Sequence, residues 1–147
     1  MDPTTWLESS RRAVLATSKA DGSPRLVPIA YAALPAADPL VLYSAVDEKP
    51  KSIADPMRLG RIRDITRRPR VSLLLDRWSE DWDQLEWLRL DGTASVLDPS
   101  VLAHEAERQR AIDLLRQRYP QYESQQLETR PMIRIVIDHA VGWSAYR

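Results

Sequence analysis

Residues 86–97, EWLRLDGTASVL, set the strongest limit on the fold. Trp87, Leu88, Leu90, Gly92, Ala94 and Val96 interleave with Arg89, Asp91, Thr93 and Ser95. A period of two marks a strand with one buried face and one wet face. Five further stretches read as strands: Ala13 to Thr17, Arg25 to Ala32, Pro39 to Tyr43, Val71 to Asp76 and Met132 to Ile137. Ala140 to Tyr146 extends the last one past a bulge. Turns separate them, with Asp21-Gly22 at the core of the first hairpin. Pro28 cannot donate to a ladder, so the second strand belongs at a sheet edge or a bulge.

Helices are fewer. Asp2-Pro3-Thr4-Thr5 starts a short one before Arg11. Leu59, Ile62 and Ile65, three apart, mark a second, which Arg68-Pro69-Arg70 ends. The longest begins at Asp98-Pro99-Ser100, with apolar positions at Val101, Leu102, Ala106, Ile112, Leu114 and Leu115, and stops at Tyr119-Pro120. Gln121 to Glu128 reads as another short helix. About six antiparallel strands with flanking helices predict a mainly β (α+β) chain forming a small barrel. No repeat or linker divides residues 1–147, so one domain is expected.

Composition narrows the function. Twenty-one basic and twenty-one acidic residues balance, which argues against bulk nucleic-acid or membrane-surface binding. Cys is absent, which excludes disulfides, zinc-thiolate sites and thiol nucleophiles and fits a cytoplasmic address. No leader peptide or membrane-spanning apolar run is visible. His104 and His139 have no second ligand at metal spacing, so no metal is expected. There is no Gly-x-Ser-x-Gly elbow, Gly-rich phosphate loop or dinucleotide fingerprint.

Charge is nevertheless uneven. Lys49 to Arg70 holds eight Lys or Arg against two acids, Asp55 and Asp64. Such an excess suits a bound anion, phosphate above all, or equally a solvated helix face. Lys49 and Lys51 flank Pro50 on a turn of restricted backbone, where little ordering entropy is lost on binding an anion. Arg58 and Arg61 share a helical face. Arg63 and Arg67 read as surface charges, and Arg70 as a structural ion-pair partner. Trp78, Trp82, Trp87 and Trp143 suit either core packing or stacking on a ring.

The order of these pieces resembles the flavin- and deazaflavin-binding split β-barrel family that includes pyridoxamine 5′-phosphate oxidase. The matching pieces are Tyr43-Ser44, Lys49-Pro50-Lys51-Ser52, Arg68-Pro69-Arg70 and Val71-Ser72-Leu73-Leu74-Leu75. Asp76, Glu80-Asp81-Trp82 and Arg89-Leu90-Asp91-Gly92 are similar to the actinobacterial branch that uses coenzyme F420, a deazaflavin. The resemblance covers roughly Trp6 to Ala145. It implies a homodimer with the cofactor in a groove between subunits. Tyr43 and Ser44 would end a strand leading to the basic turn on the cofactor phosphate. Lys49, Lys51, Arg58 and Arg61 would hold the phosphate or tail. Val27, Pro28 and Ile29 would lie along the ring edge, and Trp82 would border the site. The implied activity is hydride transfer between coenzyme F420 and a small organic substrate. The alternatives are an FMN enzyme of the same fold, or a carrier of a flavin, lipid or pigment. No residue is singled out as catalytic.

Overall fold

The computed structural model describes residues 2–48 and 54–145. Helix α1 (Pro3–Ser9) is capped by Asp2, whose carboxylate accepts from the Thr4 amide (3.1 Å) and the Thr5 hydroxyl (3.0 Å). Seven strands follow: β1 (Ala13–Ser18), β2 (Pro24–Ile29), β3 (Ala32–Ala33), β4 (Val41–Ala45), β5 (Arg70–Arg77), β6 (Glu86–Leu97) and β7 (Met132–Ser144). They form one sheet in the order β2-β1-β5-β6-β7-β4-β3, and every neighbouring pair is antiparallel. The two edge strands, β2 and β3, are separated in the chain only by Ala30 and Tyr31. The sheet must therefore curl until its edges meet, which makes a barrel split along the β2/β3 seam.

The expected strand Arg25 to Ala32 is thus two strands, and the count is seven rather than about six. The break falls at Tyr31, which is turned inward. Its hydroxyl donates to the carbonyls of Leu7 (2.7 Å) and Ser10 (3.0 Å), and its amide donates to the Tyr119 hydroxyl (3.2 Å) rather than to a strand. Pro28 does lie in an edge strand. The last strand is continuous past a bulge: Asp91 faces His139 while Gly92 faces Ile137, so Asp138 is the extra residue. Arg70 grips that residue with both terminal guanidinium nitrogens, Nη1 and Nη2 (2.5 and 3.2 Å). Gly92 permits the close approach, since a β-carbon there would lie 2.3 Å from the Val136 carbonyl oxygen.

Helix α2 (Gly60–Arg67) buries Ile62 and Ile65, and Leu59 just before it is buried too, as their spacing predicts. Its Asp64 is also buried and accepts from the Thr17 hydroxyl and from Arg25 Nε, each at 2.7 Å. Those bonds fix α2 to β1 and β2. Helix α3 (Glu105–Arg118) begins later than expected. Asp98 is used instead in a turn with Ser100, His104 Nδ1 accepts from the Asp98 amide (3.0 Å), and Leu102–His104 forms a 3-10 turn. Val101 and Leu102 are consequently exposed. A 3-10 turn, Pro120–Ser124, stands where a short helix was expected.

Two apolar clusters result. One fills the barrel, with Leu15, Leu42, Leu73, Leu90 and Ile135 at its centre. The other lies between the sheet and α3, where Ala111, Ile112 and Leu115 meet Tyr43, Leu97, Tyr122 and Met132.

Candidate functional site

A cleft of about 420 Å³ opens along the split seam. One wall is the end of β2, with Val27, Pro28, Ile29 and the following Ala30. Ser44 and Ala45 at the end of β4 form another, and Asp47 follows them. Arg61 enters from the first turn of α2, and Arg11 and Arg12 close the rim. β2 is paired on one side only, so part of its backbone faces the seam without a strand partner.

Arg61 dominates the electrostatics. It is largely buried, and its Nε is fully buried with no hydrogen-bond partner. Burial lowers the pKa of the guanidinium, and the nearby Asp47 and, less, Tyr122 push it back up. A buried charge without a hydrogen-bonded partner is costly. Such a group is poised to take an anion, because the ligand supplies the missing acceptor. Asp47 is buried as well. Its carboxylate accepts from the Tyr122 hydroxyl (2.6 Å), and its carbonyl accepts from Arg130 (2.9 Å). Burial, and then the hydrogen bond to Asp47, push the Tyr122 hydroxyl well above the usual phenol range. Arg11 is committed elsewhere in part: it donates to the Arg118 carbonyl (2.7 Å) and lies over the Tyr119 ring at 4.7 Å.

Five residues singled out in the sequence therefore meet in one place: Val27, Pro28, Ile29, Ser44 and Arg61. Three do not line the cleft with them, and two lie outside the described residues. Tyr43 is turned to the opposite face, where its hydroxyl donates to Glu107 (2.7 Å), itself paired with Arg134 (3.0 Å). Adjacent strand residues point to opposite faces, so Ser44 lines the cleft and Tyr43 packs under α3. Arg58 is exposed in the 3-10 turn before α2. Lys49 and Lys51 lie outside the described residues. Trp82, in the turn Trp82–Gln84, is 69% exposed and outside the cleft.

Sequence reasoning passed over Arg11, Arg12, Asp47 and Tyr122. Asp47 had a signal, an acid on the threshold of a lysine-rich turn. The Arg pair reads as an ordinary surface turn until the fold brings it to the seam. Among the described residues, no group of three or more His, Asp or Glu could hold a metal ion. No described helix is long and apolar enough to cross a membrane.

Three solved structures place the fold. A conserved hypothetical protein from Mycobacterium tuberculosis superposes with a TM-score of 0.72 at 22% identity, over 99% of this chain and 86% of its own. A FAD-binding protein from Mesorhizobium loti gives 0.64 at 26% identity, over 95% and 89%. An F420 reductase gives 0.59 at 18% identity, over 93% and 94%. A search of curated protein sequences finds no match. The family model described as pyridoxamine 5′-phosphate oxidase matches residues 4–144, almost the full length of the barrel and its helices, and the chain belongs to that family.

Proposed function

We propose that the seam cleft binds a phosphorylated flavin-type cofactor, coenzyme F420 in preference to FMN, and that the protein transfers a hydride between it and a small organic substrate. The observation that carries this reading is Arg61: a largely buried cation, its Nε without a partner, in a cleft walled by apolar strand residues. Arg61 would hold the phosphate or the tail, as would Arg58, and the sequence alone assigns Lys49 and Lys51 to the phosphate. Val27, Pro28 and Ile29 would offer apolar contact and open edge-strand backbone to the ring. When bound, the cofactor supplies the hydride chemistry, and the residues bind, orient and exclude water. The preference for F420 rests on the resemblance of the basic turn and the Glu80-Asp81-Trp82 run to the deazaflavin branch, and on cations beyond what one phosphate needs.

A homodimer is part of the reading. Pro28, Val14, Leu74, Arg89 and Val141 are cross-strand neighbours in one row on the outer face of the sheet. On that face Leu26 is 67% and Leu74 42% exposed. An apolar face of this kind suits a partner, and the row begins at Pro28, in the cleft wall.

Fluorescence titration with both cofactors tests the proposal. Saturable binding of F420, weakened by Arg61→Ala, is expected. Tighter binding of FMN, with protein purified yellow, would move the assignment to a flavin enzyme. Single-turnover mixing of reduced cofactor with enones, quinones and tetrapyrroles then tests turnover. Binding without oxidation by any acceptor would leave a carrier.

A further inference from the structure

We propose a second anion site, separate from the seam cleft: a cavity between helix α2 and the β1–β2 hairpin that takes a small oxyanion with two negative charges, of the phosphate-monoester class, on Lys19, Arg63 and Arg67. It shares no lining residue with the seam cleft, so it does not rest on the cofactor reading. The cavity measures about 290 Å³. Lys19 and Asp21 from the hairpin and Arg25 from β2 line one side, and Arg63, Asp64 and Arg67 from α2 the other.

The charges there do not cancel. Four cations face two carboxylates, which leaves an excess of two positive charges. Both carboxylates are engaged within the protein. Asp64, the sole acid of α2, accepts from the Thr17 hydroxyl and from Arg25 Nε, each at 2.7 Å. Asp21 accepts from the Ser23 hydroxyl (2.6 Å) and amide (2.9 Å). Those bonds and, less, the nearby Lys19 hold its carboxyl below the usual range. Lys19, Arg63 and Arg67 make no side-chain hydrogen bond or ion pair among the described residues. Arg63 and Arg67 stand one helical turn apart on one face, where like charges repel. A solvated helix face would end there. Here Lys19 converges on the same cavity from another element. The frame is also set in advance. Arg25 packs its guanidinium over Gly60, where a β-carbon would lie 2.6 Å from it. Arg68 donates to the Ala20 carbonyl (3.3 Å) and ties the hairpin tip to the end of α2. Cations held in place lose little freedom on binding. A phosphate monoester carries about two negative charges at neutral pH, which matches the excess, whereas a monoanion leaves part of the repulsion standing.

Calorimetric titration of the Arg61→Ala protein, which lacks the cleft cation, isolates the site. Sulfate and phenyl phosphate should each bind saturably, and chloride at the same ionic strength should not. Adding Arg63→Gln and Arg67→Gln should weaken both probes at least about tenfold, and Lys19→Gln should weaken them by itself. Sulfate should also raise the thermal midpoint above its value in chloride, and that rise should vanish in the variant without Arg63 and Arg67. Equal responses to sulfate and chloride would reduce the cavity to charge screening and overturn the proposal. So would sulfate binding that survives both the double change and Lys19→Gln. Loss of F420 affinity on changing Arg63 and Arg67, with no sulfate binding in Arg61→Ala, would give these cations to the cofactor tail and overturn the separate site. Sulfate binding as expected, without F420 or FMN binding by the wild type, would support this site and remove the cofactor reading alone.

Discussion

Arg61 sets stability against binding. Its guanidinium is largely buried, with Nε lacking a partner, so the ligand-free protein bears the cost of desolvating it. Arg61→Leu should leave the thermal midpoint of the ligand-free protein unchanged or raised. The same variant should lose about 1.5–3 kcal/mol of cofactor binding, the worth of a hydrogen bond to a charged group. Thermal denaturation without ligand and a titration with it read the two effects separately. A large fall in the midpoint would mean that Arg61 serves the fold. That trade-off is expected where a site is held ready for a ligand. The sequence pointed to Arg61 through its three-residue step from Arg58 and through the resemblance, which implies a basic side chain at the start of this helix. It did not reach Asp47, whose carboxylate is held by the Tyr122 hydroxyl, far away in the chain.

At the scale of elements, side-chain bonds decide where strands and helices stop and how they dock. Helix α2 hangs on Asp64, which is buried between Thr17 and Arg25. Arg25→Ala would strand that carboxylate. Removing one partner of a buried pair costs about 3–5 kcal/mol, and the 38% exposure of the Arg25 side chain brings the expectation down to about 2–3 kcal/mol. Adding Asp64→Asn should recover part of the loss, since the stranded charge is then gone. Urea denaturation of the single and double variants checks this, and a double variant less stable than Arg25→Ala would refute it. Tyr31 and Tyr43 dock other elements, the seam to α1 and β4 to α3. Burial pushes both hydroxyls up to about 12 from an ordinary value of 10, helped at Tyr43 by its bond to Glu107. The folded protein therefore holds these protons more tightly than the unfolded chain. Their contribution is complete below pH 10 and lost as pH rises from about 10 to 12. Tyr43→Phe should flatten the fall of the urea midpoint across that window, and an unchanged slope would count against it. The sequence made β1, β5, β6 and α2 legible because their periodicity is local and strong. The β2/β3 break and the late start of α3 were hidden for one reason. In each case a polar group that looks like part of a regular element is spent on a distant or non-helical partner: the Tyr31 amide on Tyr119, and the Asp98 carboxylate on Ser100.

At the scale of the whole molecule, the seam and the outer apolar face belong to one argument. A sheet whose edge strands are joined by two residues cannot lie open, yet β2 and β3 do not pair, and the gap between them is where the cleft forms. The same curl displays the row from Pro28 through Leu74 to Val141 on the convex side. A standard interface buries about 800 Å² on each partner, roughly a tenth of the 8631 Å² that the chain exposes, and five adjacent strands can supply it. If a second copy covers this row, it must also approach the cleft, because Pro28 belongs to both. Dissociation should then cost cofactor affinity with no cleft residue changed. The double variant Leu26→Asp and Leu74→Asp places two charges on that face. It should sediment as a 16.8 kDa monomer where the wild type sediments at twice that mass. Its far-UV circular dichroism should be unchanged, and its cofactor affinity at least about tenfold weaker, or 1.4 kcal/mol. A wild type that is itself monomeric would remove the homodimer. A monomeric variant that binds cofactor as tightly as the wild type would confine the site to one chain.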